Sequence, residues 1–306
     1  MDDDVYAPRG VTASPSGLAG LAGPGTVAWK INSEVVVLLG WSPAILAQFA
    51  HPLVAAGVAD HSLFITRKAG RLKRLHSTLS AMLALTFGSA EQAGRAARGI
   101  NAIHDRVQGH LKDETAAFPR GTPYSAHDPA LLRWVHATLL DTFPRAYELY
   151  VGPLTSEEKD RYCQEASWIA PLLGIPDGYL PTNMAELRLY LDSMLASGQI
   201  EVTPTARTLA QALIAPPLPR PARPLLRLMQ IPTIGLLPDS IRARYGFPWD
   251  ARRQTMLERS APLVRHVLPL LPSVLRHWPA ARAAFRRPGV LRGGGPSRAR
   301  SAVVVS

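Results

Sequence analysis

The sequence predicts an all-α fold, on three observations. Apolar residues recur at helical spacing through most of the chain, and several of these stretches begin with a residue that commonly caps a helix. No stretch shows the alternation of apolar and polar residues that is typical of a strand. Because 47% of the 306 residues are hydrophobic and only 19% are charged, the chain can bury a large core.

Three segments are expected along the chain. Residues 1–26 are rich in Gly, Pro and Ser and are predicted to be flexible, whereas residues 27–285 are predicted to form the helical domain. Residues 286–306 are rich in Gly, Arg, Pro and Ser and are predicted to be a disordered basic tail, because such a composition cannot build a core.

The first helices of the domain are apolar. Residues 32–34 offer caps for a helix that runs through Leu39, and Pro43 can start the next one. The uncharged run 35–59 is long enough to span a membrane. Because Pro43 and Pro52 interrupt it, we expect buried helices that break at the prolines instead.

The middle of the chain gives the clearest helix boundaries. Residues 71–87 form an amphipathic run that Gly88 closes. Asp128 as N-cap and Pro129 at the first helical position are a strong start signal. Further helices are predicted at 156–173, at 183–196 with Thr182 or Asn183 as cap, at 203–215, and once or twice within 245–272.

Cysteine content excludes several kinds of site. The single cysteine, Cys163, rules out intramolecular disulfides, zinc sites with several thiolates, Cys-ligated iron–sulfur clusters and covalent haem attachment through Cys-x-x-Cys-His. The opening "MDDDVYAPRG" is acidic where a secretory signal would be basic. Both observations favour a reducing, cytoplasmic location.

Positive charge is concentrated in the last third of the chain. From Arg220 onward there are sixteen arginines, no lysine and three acidic residues, while residues 1–219 are nearly neutral. Such an end can bind anionic lipid or nucleic acid, but a general preference for Arg over Lys, as from GC-rich coding, explains it as well and is favoured. No nucleic-acid partner is expected, because aromatic and basic residues do not interleave. A weak peripheral contact of the tail with an anionic membrane stays open.

Histidines stand on apolar helix faces. Small or apolar residues at 93, 97, 100, 107 and 111 form a helical seam, and His104 fills its gap. His136 lies on the apolar face of the following helix. One such histidine is usually a core residue with a backbone hydrogen bond. Two of them, with His51 in "AHP" and His61 in "GVADHS" nearby in sequence, favour a functional site.

Several motifs of common catalytic and metal sites are absent from the sequence. The Glu-x-x-His spacing of di-iron bundles is missing, as are His-Glu-x-x-His, Gly-x-Ser-x-Gly, a Walker loop and Gly-x-Gly-x-x-Gly. What remains is a helical body with isolated histidines in apolar surroundings and arginines nearby. A non-covalently bound haem requires such a setting, with one neutral imidazole as axial ligand, apolar walls, and basic groups for its propionates.

Several motifs resemble one family in the same order. These are "LAQFAHPLVAAGVADHS", "RLKRLHSTLSAMLALTFG", "INAIHDRVQG", "YSAHDPALLRWVHATLLDTF" and "YLPTNMAELRLYLDSML". Together they are similar to the bacterial branch of the MpaB-like oxygenases, which share a catalytic domain with the rubber oxygenase or latex-clearing protein. The resemblance covers about residues 27–280 and implies a globin-reminiscent helical bundle that encloses one haem b.

The resemblance also implies roles for individual residues. His104 matches the proximal iron ligand of the family, and Arg74 and Thr78 reproduce an Arg-x-x-x-Thr pair of the haem pocket. The family's distal glutamate is replaced here by the region of Asp60 and His61, either of which could substitute for it. His136 is interpreted as a pocket-lining residue or as a partner in a hydrogen bond between helices.

The activity that the resemblance implies is a haem b-dependent oxygenation. Dioxygen and a hydrophobic small molecule, an isoprenoid or lipid-like olefin, would be the substrates, with oxidative C=C cleavage or oxygenation as the reaction. Two other interpretations stay open. One is a helical haem-binding sensor or carrier without turnover, and the other is a membrane-docking helical protein whose histidines are structural.

Overall fold

The structure, a computed structural model, describes residues 23–61, 68–215, 221 and 223–285. This part of the chain is mostly helical, which confirms the predicted all-α class. Residues 1–22 of the predicted flexible segment and the whole predicted basic tail, 286–306, lie outside the described residues.

The described helices are joined by turns, 3₁₀ helices and one hairpin. Their bounds are α1 Val27–Asn32, α2 Trp41–Phe49, α3 Pro52–His61, α4 Lys68–Phe87, α5 Ala90–His104, α6 Pro129–Tyr150, α7 Ser156–Ala166, α8 Met184–Ala196, α9 Pro204–Ile214, α10 Arg223–Gly235, α11 Asp239–Tyr245, α12 Ala251–Val267, α13 Ser273–Arg276 and α14 Pro279–Phe285. Short 3₁₀ helices cover Val35–Gly40, Ser167–Ile169, Pro171–Leu173 and Leu268–Leu270. Two strands, β1 Gln108–His110 and β2 Pro123–Ser125, pair antiparallel.

Helix α6 lies at the centre of the fold. It packs against α2, α7, α8, α12 and the 3₁₀ helix Val35–Gly40. Its start is as predicted, because the Asp128 side chain accepts a hydrogen bond from the Ala130 backbone N–H at 2.8 Å. Gly40 allows the 3₁₀ helix to lie against α6, since a Cβ there would be 2.8 Å from the Thr142 carbonyl oxygen.

The turn between α4 and α5 fixes these two helices as an antiparallel pair. The Gly88 backbone N–H donates to the Ala84 carbonyl at 2.9 Å, as predicted for the end of α4. A Cβ at Gly88 would be 2.1 Å from that same oxygen, so only glycine fits. Ser89 and Gln92 then form a reciprocal capping box that starts α5.

The apolar segment near the N-terminus breaks as the prolines predict. Helices α2 and α3 meet at 105°, with the buried His51 at the break. Within the described residues, no single helix is both long and apolar enough to cross a membrane, and the bent pair α2–α3 together with the preceding 3₁₀ helix passes that test only by length and composition.

The predicted seam through His104 is wrong beyond that residue. Helix α5 ends at His104, and the chain turns through Asp105 and Arg106 into β1. Val107 and Leu111 lie in a separate apolar cluster around Leu53 and Tyr124. Val107 and Leu111 continue the helical spacing of the sequence only by coincidence, because they pack in a different cluster and do not belong to α5.

The prediction of no strands also needs correction. Strands β1 and β2 form a hairpin whose register pairs Gly109 with Tyr124. A Cβ at Gly109 would be 2.6 Å from the Tyr124 hydroxyl, so the glycine lets the ring lie across the strand. Segments of three residues are too short to show an alternating pattern, and for that reason the sequence did not reveal them.

An ion pair joins the two ends of the domain. Glu34 is only 4% exposed, and its carboxylate accepts hydrogen bonds from Nε of Arg276 at 2.9 Å and from Nη2 at 2.6 Å. The Trp278 backbone N–H donates to the Ser33 carbonyl at 3.2 Å beside this pair. Glu34 therefore ties α13 to the start of the domain instead of capping a helix as predicted.

Replacing Arg276 with methionine is expected to lower the free energy of unfolding by about 3 kcal/mol, because the buried Glu34 carboxylate then keeps only the weaker contact with His277, whose Nε2 lies 3.5 Å from Oε1. The double variant Glu34→Gln/Arg276→Met should recover part of this loss. As a control, Arg253→Met removes the exposed pair with Asp250 and should cost less than about 1 kcal/mol. Urea denaturation followed by circular dichroism measures all three, and an Arg276→Met protein as stable as the control would contradict the assignment.

Candidate active site

A large cleft lies between α4, α5 and α14. Its volume is about 790 Å³, which is within the range of roughly 300–1,000 Å³ found for small-molecule sites. Apolar and small side chains make up most of its lining: Ser77, Ser80, Ala81, Leu83, Ala84, Phe87, Gly88, Gln92, Arg95, Ala96, Gly99, Ile100, Ile103, Ala280 and Ala283. The cleft is thus suited to a hydrophobic guest.

Small residues on facing helices create this space. On α4 they recur at 77, 80, 81 and 84, which is one face of a helix, and α5 contributes Ala96 and Gly99 opposite them. Helix α14 supplies two alanines, Ala280 and Ala283, as the third wall. Because none of these side chains fills the gap between the helix backbones, the cleft stays open while Phe87 packs edge-on against Trp29 at 4.8 Å beside it.

Arg95 is the cation among the described residues that line the cleft. It pairs with Glu91 one turn earlier on the exposed side of α5. The pair is exposed, so the guanidinium can turn between Glu91 and an anionic group of a guest at little energetic cost.

His104 ends α5, one residue after Ile103, which lines the cleft. It is not among the lining residues, but Ile103 and Ile100, respectively one residue and one turn before it, are. Its Nδ1 atom is buried and has no hydrogen-bond partner among the described residues. Burial, and secondarily the nearby His127, lowers the pKa of His104 below its usual value, while Asp105 acts in the opposite direction. The imidazole is therefore neutral at pH 7.

The other side of His104 is occupied by a second imidazole. The His127 ring lies edge-on to it at 5.7 Å between centroids. His127 donates from Nε2 to the Asp105 carboxylate at 2.7 Å. Asp105 thus pairs with His127 and not with the adjacent His104.

Arg74 and Thr78 lie on α4 in the half farther from the turn. In an antiparallel helix pair, residues equally distant in sequence from the turn lie at the same height along the helix axes. Counted from the turn at Gly88, the backbone of Arg74 therefore lies at nearly the same height as that of His104. Thr78 is exposed, and its neighbour Ser77 lines the cleft. The side chain of Arg74 lies outside the described part of α4, so its predicted contact with the haem edge stays a prediction.

Asp60 and His61 lie against the hairpin. Burial alone would raise the pKa of Asp60, but hydrogen bonds from Lys112 and from the Tyr124 hydroxyl, the latter at 2.8 Å, outweigh it and hold the pKa below its ordinary value. His61 donates from Nε2 to the Gln108 carbonyl at 2.9 Å. Both side chains are already engaged and neither lines the cleft, and a carboxylate with a lowered pKa is a weak base.

His136 and His51 are buried elsewhere in the core. Burial lowers the pKa of each to about 4. Nε2 of His136 and Nδ1 of His51 have no hydrogen-bond partner among the described residues. His136 does not line the cleft, and a hydrogen bond from its Nε2 to another helix, one of its two predicted roles, is not present.

The residues at the cleft fit a haem. His104 is half-buried, and its Nδ1 has no hydrogen-bond partner among the described residues, so this imidazole is available as an axial ligand. An unpaired buried polar atom otherwise costs about 1–3 kcal/mol. Apolar walls and one exposed arginine at the cleft match the macrocycle and a propionate. Of the residues predicted for the site, His104 follows the lining residue Ile103 and Thr78 follows the lining residue Ser77, whereas Asp60, His61 and His136 do not line the cleft.

Sequence reasoning missed the cleft itself and the His104–His127–Asp105 arrangement. A signal for the cleft was present, since small residues at 77, 80, 81 and 84 share one helix face where a core helix would carry large apolar residues. His127 gave no such signal, because the hairpin that brings it beside His104 cannot be read from the sequence.

These features define a mostly helical protein with an apolar cleft and, directly after the lining residue Ile103, a half-buried histidine. Residues 29–266 match the family model described as "ER-bound oxygenase mpaB/B'/Rubber oxygenase, catalytic domain", and the chain belongs to this family. Two relatives, an uncharacterized protein of Mycobacterium bovis and an uncharacterized protein of Mycobacterium tuberculosis, are each 25% identical over 240 residues, or 76% of this chain and 89% of the relative. No solved structure matches the chain.

Proposed function

We propose that this protein is a haem b-dependent oxygenase that acts on a hydrophobic olefin of isoprenoid or lipid-like character. Membership of an oxygenase catalytic-domain family supports oxygenase activity in general. The observation that carries the haem and substrate assignments is the apolar cleft of about 790 Å³ next to His104, whose buried Nδ1 is unpaired.

Each group at the cleft has a task that its chemistry supports. His104 would hold the iron as a neutral imidazole, and bound haem would supply the capacity to activate dioxygen. Ile100 and Ile103 provide apolar contact that orients an olefin and excludes water from it. Arg95 can pair with an anionic edge of the cofactor, while Arg74 and Thr78 are proposed to orient polar groups near His104.

The proposed reaction needs no proton source for C=C cleavage itself. Both atoms of one dioxygen molecule end in the two carbonyl groups formed from the double bond, so atoms and electrons balance without a further reductant. A monooxygenation would place one labelled atom in the product instead. This distinction can be read by mass spectrometry under ¹⁸O₂.

The first experiment is an ultraviolet–visible spectrum of the purified protein with a pyridine haemochrome assay, which identifies the cofactor directly. The second incubates the reduced protein with a panel of terpenoid and fatty alkenes under ¹⁸O₂. Labelled aldehydes or ketones would support the oxygenase. A haem-replete protein that labels no product across the panel would favour the sensor or carrier interpretation, and a protein without haem would favour structural histidines.

Arg74→Ala is expected to impair turnover more than haem retention. Removing one hydrogen-bond donor from a reacting centre typically lowers kcat by about 10²–10³-fold, and we expect a loss near the lower end. Haem content should stay close to wild type. Arg98→Ala, which removes an exposed arginine of α5 that does not line the cleft, is the matched control and should leave kcat unchanged. Equal losses of haem and turnover would mean that Arg74 holds the fold or the cofactor instead.

A further inference from the structure

The outward face of α12 carries an unusual row of side chains. Helix α12 packs on the body through Leu257 and Ala261, with Leu268 continuing this buried side. The opposite face carries Arg252, Met256, Arg259, Leu263 and Val267, followed by Leu270 on the adjoining 3₁₀ turn. These six residues, at steps of three and four, form one stripe along five turns and are called the α12 face below.

The apolar members of the α12 face are well exposed. Met256 is 42% exposed, Leu263 66%, Val267 45% and Leu270 81%. Single exposed apolar residues are common, but a continuous row of them marks an interaction surface. Two more exposed apolar residues, Val274 and Leu275, follow within five residues of Leu270 and extend the apolar surface along the chain.

The charge of the α12 face has one sign. Neither Arg252 nor Arg259 forms an ion pair within the part of the chain that the structure describes. The acidic residue of α12, Glu258, lies off the stripe and accepts a hydrogen bond from Gln254. An apolar row flanked by free arginines, on a helix whose other side is packed, is the pattern of helices that lie in a membrane interface.

We propose that the α12 face docks on the surface of a membrane that contains anionic lipid. Leu263 and Leu270 enter the boundary of headgroups and acyl chains, while Arg252 and Arg259 pair with lipid phosphates. A second copy of the chain is a poor occupant, because two such faces would bring arginines together without acidic partners. The surface is separate from the cleft, so this inference does not rest on the proposed haem chemistry.

Sedimentation with vesicles tests the proposal on the full chain. Vesicles of phosphatidylcholine with a quarter phosphatidylglycerol are compared with pure phosphatidylcholine, and the wild type should bind only the former strongly. Arg252→Gln/Arg259→Gln should lower the partition coefficient about 25-fold, since each arginine near such a surface contributes about fivefold. Leu263→Gln/Leu270→Gln should lower it at least about tenfold.

Matched controls separate this surface from other charges and apolar residues. Leu189→Gln removes an apolar residue of α8 that is 73% exposed, and Arg120→Gln removes an exposed arginine outside α12; neither should change binding. Deletion of residues 286–306, which add five arginines and no acidic residue, tests the predicted tail separately. If the deletion abolishes binding while the α12 variants bind like wild type, the tail is the anchor and the proposal is wrong.

Site-specific labelling gives an independent readout. Leu263→Cys carries an environment-sensitive fluorophore, and the buried Cys163 stays unlabelled. The emission should shift to the blue with anionic vesicles, whereas a label at Leu189→Cys should not respond. An unchanged spectrum at Leu263→Cys, or equal binding of wild type to neutral vesicles, would overturn the proposal.

Discussion

Replacement of His104 by alanine is expected to abolish haem binding, with loss of the Soret band from the purified protein. The imidazole is neutral because burial lowers its pKa, its Nδ1 has no partner among the described residues, and it ends the helix that forms one wall of the cleft. The neighbouring His127 does not share these properties, because it is engaged with Asp105. Iron ligation by one imidazole would therefore be lost with this single change.

Two controls separate iron ligation by His104 from a structural role. His136→Gln removes an equally buried imidazole away from the cleft and should retain haem with at most lower stability or activity. His104→Gly with added free imidazole should regain part of the Soret band, which a merely structural role would not produce. Full haem occupancy and an unchanged spectrum in His104→Ala, with folding intact by circular dichroism, would make the assignment wrong and His136 the better candidate.

Helix starts were predictable because they depend on local chemistry. Asp128 with Pro129, Asn183 and Thr203 each begin a helix where the sequence indicated, since a short polar side chain satisfies free backbone N–H groups within three residues. The end at Gly88 was predictable for a similarly local reason. Such signals need no knowledge of the rest of the fold.

The end of α5 was not predictable, because it depends on distant residues. After His104 the chain pairs with β2, and the Ala126 backbone N–H donates to the Val107 carbonyl at 2.8 Å. The strand that pairs with the chain after His104 lies about twenty residues later, and the sequence of α5 itself does not indicate this pairing. The predicted 156–173 helix likewise ends at Ala166 and continues as two 3₁₀ turns around Pro171.

The candidate site was predictable in its imidazole but not in its shape. His104 was singled out by its place on an apolar face, and in the structure it follows the lining residue Ile103 at the end of α5, while its role as iron ligand stays a prediction. Asp60 and His61 were predicted at the distal side of the same site. In the structure they form hydrogen bonds with the hairpin residues Tyr124 and Gln108 instead. Which polar group meets a ligand depends on long-range packing, and a sequence pattern does not encode that directly.

The second large effect concerns stability in acid. His51 and His136 each have a pKa lowered from 6.5 to about 4 by burial. Between pH 6.5 and 4 the unfolded chain binds a proton at each site and the folded chain does not, so stability falls as the pH falls through this window. Each histidine is expected to cost about 3 kcal/mol at pH 4 relative to pH 7.5.

Other ionisable groups also affect stability in or near this window. Hydrogen bonds from Lys112 and Tyr124 lower the folded-state pKa of Asp60 against the effect of burial, so its stabilisation is present above its ordinary pKa and is lost only below it. Asp141 behaves in the opposite way, because burial raises its pKa despite Arg145. His104, whose pKa burial also lowers, adds to the loss as the pH falls, whereas Asp141 opposes it. The share that belongs to His51 and His136 is the part of the slope that disappears when both are replaced.

Urea denaturation at pH 7.5, 6.5, 5.5 and 4.5 measures the slope of stability against pH. The wild type should lose several kcal/mol across this series, which is a large share of the roughly 5–15 kcal/mol typical of a domain. His51→Gln/His136→Gln removes both protonation sites and should show a much flatter slope, even if it is less stable than wild type at pH 7.5. His110→Gln, an exposed histidine of β1, is the control and should keep the wild-type slope. A double variant with the wild-type slope would mean that groups other than these two histidines take up the protons that unfold the protein.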